Sequence, residues 1–219
     1  MTSDHQNEIV RAMQRPDFYP HPVAAVGLQE THISRVLLTG DFVYKIKKPV
    51  DLGFLDFTTL EKRRHFCRME VELNRRLSHD IYLEVVSITK KDRTYYLAGP
   101  GEPVEYAVKM KQLPAEFSMV RLLEDKKIDA QSVALLARVL AGFYENAPSG
   151  PKINAAGSWR TVKTNCEENF SQTEEFAGSF IDERMYHIIR SVNSAFLQRR
   201  KRLFERRVKE HKIREGHGD

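Results

Sequence analysis

Residues 33 to 47 read ISRVLLTGDFVYKIK, two runs of β-branched and aromatic side chains joined at TGD. A glycine beside an aspartate between such runs signals a tight hairpin, so the stretch predicts two antiparallel strands. Alternation along the second strand places Val43, Lys45 and Lys47 on one face and Phe42, Tyr44 and Ile46 on the other. The hairpin therefore presents two lysines together on one side of a sheet.

VDLGFLDF, with Gly53, reads as a loop leading into the helix TTLEKRRHFCRMEVELNRRLSHD. Thr58 stands three residues before Glu61, the capping-box spacing, and Phe66, Met69, Leu73 and Leu77 recur at helical spacing as one buried stripe. Glu70 falls at the edge of that stripe, and Glu72 lies farther round toward solvent. DIYLEVVSITK and RTYYLAGPGEPVEYAVKMKQL supply further strands around the turn-rich GPGEP. Beyond Pro114 the pattern turns helical. DAQSVALLARVLAGFYENA aligns Val133, Leu136, Leu140 and Phe143, and the run from Asp182 to His211 aligns Met185, Ile188, Val192, Phe196 and Leu203. Residues 147–165, rich in small and turn-forming types, read as a surface loop. The expected class is α+β: a β-rich lobe with one long helix over 1–110, a connection at 111–114, and a helical part over 115–219.

Composition bounds the function. Hydrophobic residues at 41% and charged residues at 30% suit a globular chain. No apolar run approaches the ~20 residues of a membrane span, and MTSDHQNEIVRAMQ lacks the basic-then-apolar order of an export signal. Cys67 and Cys166 form no CxxC and no disulfide framework, which points to the cytoplasm, and without an apolar span no membrane partner is expected. The net charge of +5 is concentrated in residues 199–214, RRKRLFERRVKEHKIR, where nine basic residues face two acids. Such a patch suits nucleic acid or an acidic membrane surface or, more simply, a solvated helix face beside an anionic substrate site. No aromatic interleaving or base-reading motif favours nucleic acid.

Three features carry chemistry. A lysine projecting from a central strand, as Lys45 does, holds nucleotide phosphates as a point charge, although a strand face meeting water has the same pattern. A helix glutamate, Glu70, pairs with such a lysine and fixes it. An aspartate in a loop, as in the closing HGD, accepts a proton from a substrate hydroxyl.

The stretch ETHISRVLLTGDFVYKIKKPVDLGFLDFTTLEKRRHFCRMEVELNRRL, continued by DIYLEVVSI, resembles the N-terminal lobe of a bacterial aminoglycoside-phosphotransferase-like family with the protein-kinase-like two-lobe fold. EYAVKMKQLP resembles its hinge strand, and IREGHGD its catalytic loop, so the resemblance spans residues 29 to 219. It implies transfer of the γ-phosphoryl group of ATP to a hydroxyl-bearing small molecule. Lys45 would contact phosphates and Glu70 would pair with it. The backbone of Met110, Lys111, Gln112 and Leu113 would meet the adenine edge. Asp219 would be the catalytic base, braced by His217.

Thr31 to Ser34 take the place of the phosphate-covering loop. G-x-G-x-x-G is absent there, which leaves backbone N–H groups or the Ser34 hydroxyl for that task. Mg²⁺ is expected for the family, but its asparagine and second aspartate would lie beyond residue 219, so the expected activity of these residues alone is weak or nil. Relatives in the family often carry a P-loop ATPase domain, and no G-x-x-x-x-G-K-S/T occurs here. The alternatives are a nucleotide- or partner-binding module without catalysis, and nucleic-acid binding by the basic helix. Exposed apolar surface around Leu136, Phe143, Ile189 and Phe196 is expected to promote self-association.

Overall fold

Helix α1 (Ser3–Met13) and a 3-10 turn at Pro16–Phe18 come first in a computed structural model that describes residues 3–216. Strands β1 (Gly27–Glu30), β2 (Ser34–Leu38) and β3 (Phe42–Lys47) follow, then helix α2 (Leu60–Ser78) and strands β4 (Tyr82–Lys91), β5 (Thr94–Leu97) and β6 (Glu102–Lys111). The architecture is α+β. The strands form one antiparallel sheet in the order β1-β2-β3-β6-β4-β5, which makes β3 and β6 central. The expected hairpin is β2–β3, its turn made by Gly40 at φ 97, a left-handed conformation that glycine adopts without strain. Gly101, at φ 100, has no room for a side chain, since a Cβ would lie 2.2 Å from the Lys90 carbonyl oxygen.

Alternation divides the sheet into two apolar layers. Ile9, Val10 and Met13 of α1, with Tyr19, pack on Leu37, Tyr44, Ile46, Val86, Ile88 and Ala107. Cys67 and Val71 of α2 pack on Val108, with Tyr82, Val85, Tyr106 and Met110 around them. Each fully buried Ile or Leu in such layers contributes about 1.5–3 kcal/mol.

The start and the buried face of α2 both differ from expectation. Asp56 accepts from the N–H and the hydroxyl of Thr58, at 2.9 and 2.6 Å, so the cap passes to Thr59, whose hydroxyl accepts from the Lys62 N–H at 3.2 Å. The buried residues are Arg63, Cys67 and Val71. Phe66 and Leu77 are exposed, and Met69 and Leu73 only partly covered. The buried face is thus displaced from the apolar stripe, and on it Arg63 meets the Glu105 carboxylate of β6.

Helix α3 (Met119–Glu124) ends the first of two compact units, which divide between Lys127 and Ile128. The second unit is helical: α4 (Ala130–Asn146), α5 (Pro151–Ala156), α6 (Trp159–Thr173), α7 (Glu183–Arg199) and α8 (Lys201–Lys209). Residues 147–165, expected as a loop, instead contain α5 and the start of α6. Pro151 occupies the first turn of α5, where its missing N–H costs nothing, and Ser158 caps α6 by accepting from the Thr161 N–H.

The expected stripes of α4 and α7 stay largely open. Val133, Leu136, Leu140, Met185, Ile188, Val192 and Phe196 are all exposed, and among the described residues of this unit the buried hydrophobic ones are Ala147, Tyr186 and Leu197. Two hydrogen bonds hold α6 to α7: Trp159 Nε1 donates to the Leu197 carbonyl at 2.8 Å, and the Tyr186 hydroxyl donates to the Phe170 carbonyl at 2.5 Å. Residues 213–216 lie against the turn after α4, with the Arg214 guanidinium donating to the Ala147 carbonyl and the Glu215 N–H to the Pro148 carbonyl, both at 2.9 Å.

Candidate functional site

Strand β3 is held by β2 on one side and β6 on the other, with Lys45 opposite Val36 and Val108. A central strand is the stiffest place in the sheet from which to project a charge. Its odd-numbered face carries Lys45 and Lys47 toward α2, where Glu70 meets both. Lys45 Nζ lies 2.8 Å from Glu70 Oε1, and Lys47 Nζ lies 2.6 Å from Oε2. Each carboxylate oxygen thus has its own ammonium partner.

The two lysines are not equivalent. Lys47 is 7% exposed and its ammonium lies 4.9 Å from the centre of the Phe57 ring, whereas Lys45 is 29% exposed. Lys47 is the enclosed anchor and Lys45 the open member. Burial alone would push the Glu70 carboxyl up, but the charges of Lys47 and Lys45 and their hydrogen bonds outweigh it and hold the group below the usual carboxylate range. Two ammonium groups against one carboxylate leave one excess positive charge, and it is accessible at Lys45. Glu72 is exposed on another side of the helix. Cys67, beneath the cluster, is pushed up to about 12 by burial, so it stays a neutral thiol and supplies no nucleophile.

A buried polar frame supports this cluster. Gln6 of α1 donates to the Lys47 carbonyl at 2.7 Å and to Glu105 Oε2 at 2.8 Å, and Arg63 Nε donates to Glu105 Oε1 at 2.8 Å. Arg63 also donates to the Phe57 carbonyl at 3.0 Å. Gln6, Arg63 and Glu105 are all fully enclosed, so the helices on the two faces of the sheet are joined through Glu105. Sequence reasoning missed these three, because isolated polar residues in a helix or strand read as solvent-facing.

The other expected contacts fall as follows. Met110 and Lys111 belong to β6, between β3 and β4, and the Lys111 N–H is taken by the Ile81 carbonyl at 2.9 Å. The Gln112 N–H donates to the Asp41 carbonyl at 2.9 Å, and its side chain accepts from the Gly40 N–H at 3.0 Å. Leu113, just past the strand, is exposed. Ser34 corrects one expectation: its side chain is fully buried in β2, opposite Lys47, and its hydroxyl has no partner, so it is not presented to a ligand. Asp219 and His217 lie outside the described residues.

Among the described residues no group of three or more His, Cys, Asp or Glu side chains is placed to hold a metal ion. No helix among them is long and apolar enough to cross a membrane. In the basic segment, Lys201 faces Glu205 at 3.8 Å and the Trp159 ring at 4.9 Å, and Arg206 faces Glu210 at 3.9 Å. Part of that charge is therefore engaged locally.

No family model matches the chain. No solved structure matches it. Uncharacterized protein Rv2004c of Mycobacterium tuberculosis and uncharacterized protein Mb2027c of Mycobacterium bovis are each 31% identical to it over 204 residues, covering 91% of this chain. The chain spans 39% of the length of these curated relatives.

Proposed function

We propose that the first unit is the nucleotide-binding lobe of an ATP-dependent phosphotransferase, of the aminoglycoside-phosphotransferase-like kind with a protein-kinase-like two-lobe fold. The observation that carries the reading is the ion pair between Lys45 on a central strand and Glu70 on the helix packed beside it. A polyphosphate needs a fixed cation that is desolvated enough to attract it and open enough to be reached. Lys45 meets both conditions, because Glu70 fixes it and Lys47 supplies the second charge that keeps the cluster net positive.

In this reading Lys45 contacts the α- and β-phosphates, and Leu113, two residues past β6, offers its backbone to the adenine edge. Asp219 accepts the proton of the acceptor hydroxyl as the γ-phosphoryl group transfers to that oxygen, and His217 has the role of bracing the loop. Mg²⁺ belongs to the reading as the nucleotide's counter-ion, and none of the described residues is assigned to it. The acceptor is a hydroxyl-bearing small molecule.

Thermal unfolding in the presence of adenine nucleotides tests the binding step. A ligand that binds only the folded state raises the midpoint according to its affinity. ATP is expected to raise the midpoint, and adenosine to raise it less, because the phosphates meet Lys45. No shift with ATP at about 1 mM, a concentration that reveals even weak sites, overturns the reading.

A further inference from the structure

A cavity of about 700 Å³ opens where the end of α1 and the following 3-10 turn meet the edge strand β5. It belongs to the α1 side of the sheet, whereas Lys45 and Glu70 face α2. Its volume falls within the range of about 300–1,000 Å³ typical of small-molecule sites. Aromatic walls and a basic rim give it a definite chemistry.

The walls include Phe18, Tyr19, Tyr95 and Tyr96. Two of them are fixed by hydrogen bonds. The Tyr95 hydroxyl donates to Glu8 at 2.9 Å and accepts from Lys90 at 3.1 Å, and the Tyr19 hydroxyl donates to the Met13 carbonyl at 2.5 Å. A ligand entering between them pays little to order the wall.

Three arginines stand around the cavity. Arg15 is committed to Asp17, its Nε lying 3.1 Å from one carboxylate oxygen and its terminal nitrogen 2.5 Å from the other. Arg11 and Arg93 have no hydrogen-bond or ion-pair partner among the described residues. They approach from different elements, Arg11 from the last turn of α1 and Arg93 from the β4–β5 turn. Guanidinium groups bind carboxylate and phosphate through paired N–H donors, and tyrosine and phenylalanine faces take flat apolar bodies.

We propose that this cavity is a second ligand site, for a small molecule in which a phosphate or a carboxylate is joined to a flat aromatic body. The anion meets Arg11 and Arg93, and the ring lies against the tyrosine wall.

The test is calorimetric titration of the full chain with 1-naphthyl phosphate and with 1-naphthoate, which together distinguish the two anion types. At least one is expected to bind, and R11Q/R93Q to weaken it about tenfold or more, as the loss of two charge-assisted hydrogen bonds implies. K45M is expected to leave that binding unchanged, and 1-naphthol or inorganic phosphate alone to bind more weakly. Both arginines are exposed, so the double variant should keep the wild-type thermal midpoint. If it does not, R11Q and R93Q taken singly are each expected to give a partial loss. Full affinity in the arginine variants, loss in K45M instead, or no heat with either probe at about 1 mM overturns the proposal.

Discussion

Arg63 on α2 and Glu105 on β6, 42 positions apart, form an enclosed ion pair in which Arg63 Nε lies 2.8 Å from one carboxylate oxygen and 3.0 Å from the other. Neither side chain is exposed. Glu70 lies seven residues on along α2, about two turns, so the residue that meets Glu105 and the residue that meets Lys45 share one face of the helix.

Removing one member leaves the other charge buried without its counter-ion. E105A is therefore expected to lose about 3–5 kcal/mol of unfolding free energy in urea, whereas R63M/E105L, which removes both charges, should regain most of it. An E105A midpoint equal to wild type would show that water reaches Arg63 despite its enclosure.

Glu70 makes stability depend on pH in a defined direction. Its folded-state carboxyl lies below the usual value of 4.5, with the pull of Lys47 and Lys45 exceeding the push of burial. Its contribution is thus fully present above the unfolded value and disappears as pH falls through the folded one. At pH 7, E70Q is expected to be less stable than wild type by on the order of 3 kcal/mol, and the two curves should converge at pH values below 4.5. A gap that stays constant down to acid unfolding would contradict the double ion pair.

Protection of backbone amides should differ between the two units. The central strands lie between apolar layers, while the apolar faces of α4 and α7 are exposed. Amide exchange in β3 and β6 is expected to be slower than in α4 and α7 by roughly a hundredfold or more, because the helical unit opens at lower free energy. Equal protection would mean that those faces are covered in solution. If self-association is what covers them, protection of α4 and α7 will rise with protein concentration.

The elements legible in the sequence were those where side-chain alternation and burial agree. The β2–β3 hairpin and the lysine face of β3 both follow from period-two patterning, whereas the strands on either side of GPGEP pair with β4 instead of with each other. The choice of Glu70 over Glu72 rested on helical geometry, and the structure brings Glu70 to Lys45. What escaped had polar cores or ambiguous turns. Arg63 and Gln6 look like surface residues until Glu105 is seen between them, a contact spanning 99 positions for Gln6. Thr58 has the capping-box spacing to Glu61, but Asp56 takes its N–H and hydroxyl, and the cap falls to Thr59. Residues 147–165 are rich in helix-breaking types, yet Pro151 and Ser158 fall where helices begin, so turn formers became helix starts.

The nucleotide reading rests on the different roles of two lysines that bind one carboxylate. Calorimetric titration of ATP into wild type, K45M and K47M tests it most directly, with thermal midpoints recorded for each. K47M, which removes the enclosed anchor, is expected to lower the midpoint more than K45M. K45M is expected to keep its fold and bind ATP about tenfold more weakly or worse, the loss of one phosphate-contacting charge. A folded K45M protein that binds ATP as tightly as wild type would contradict the assignment of Lys45 to the phosphates.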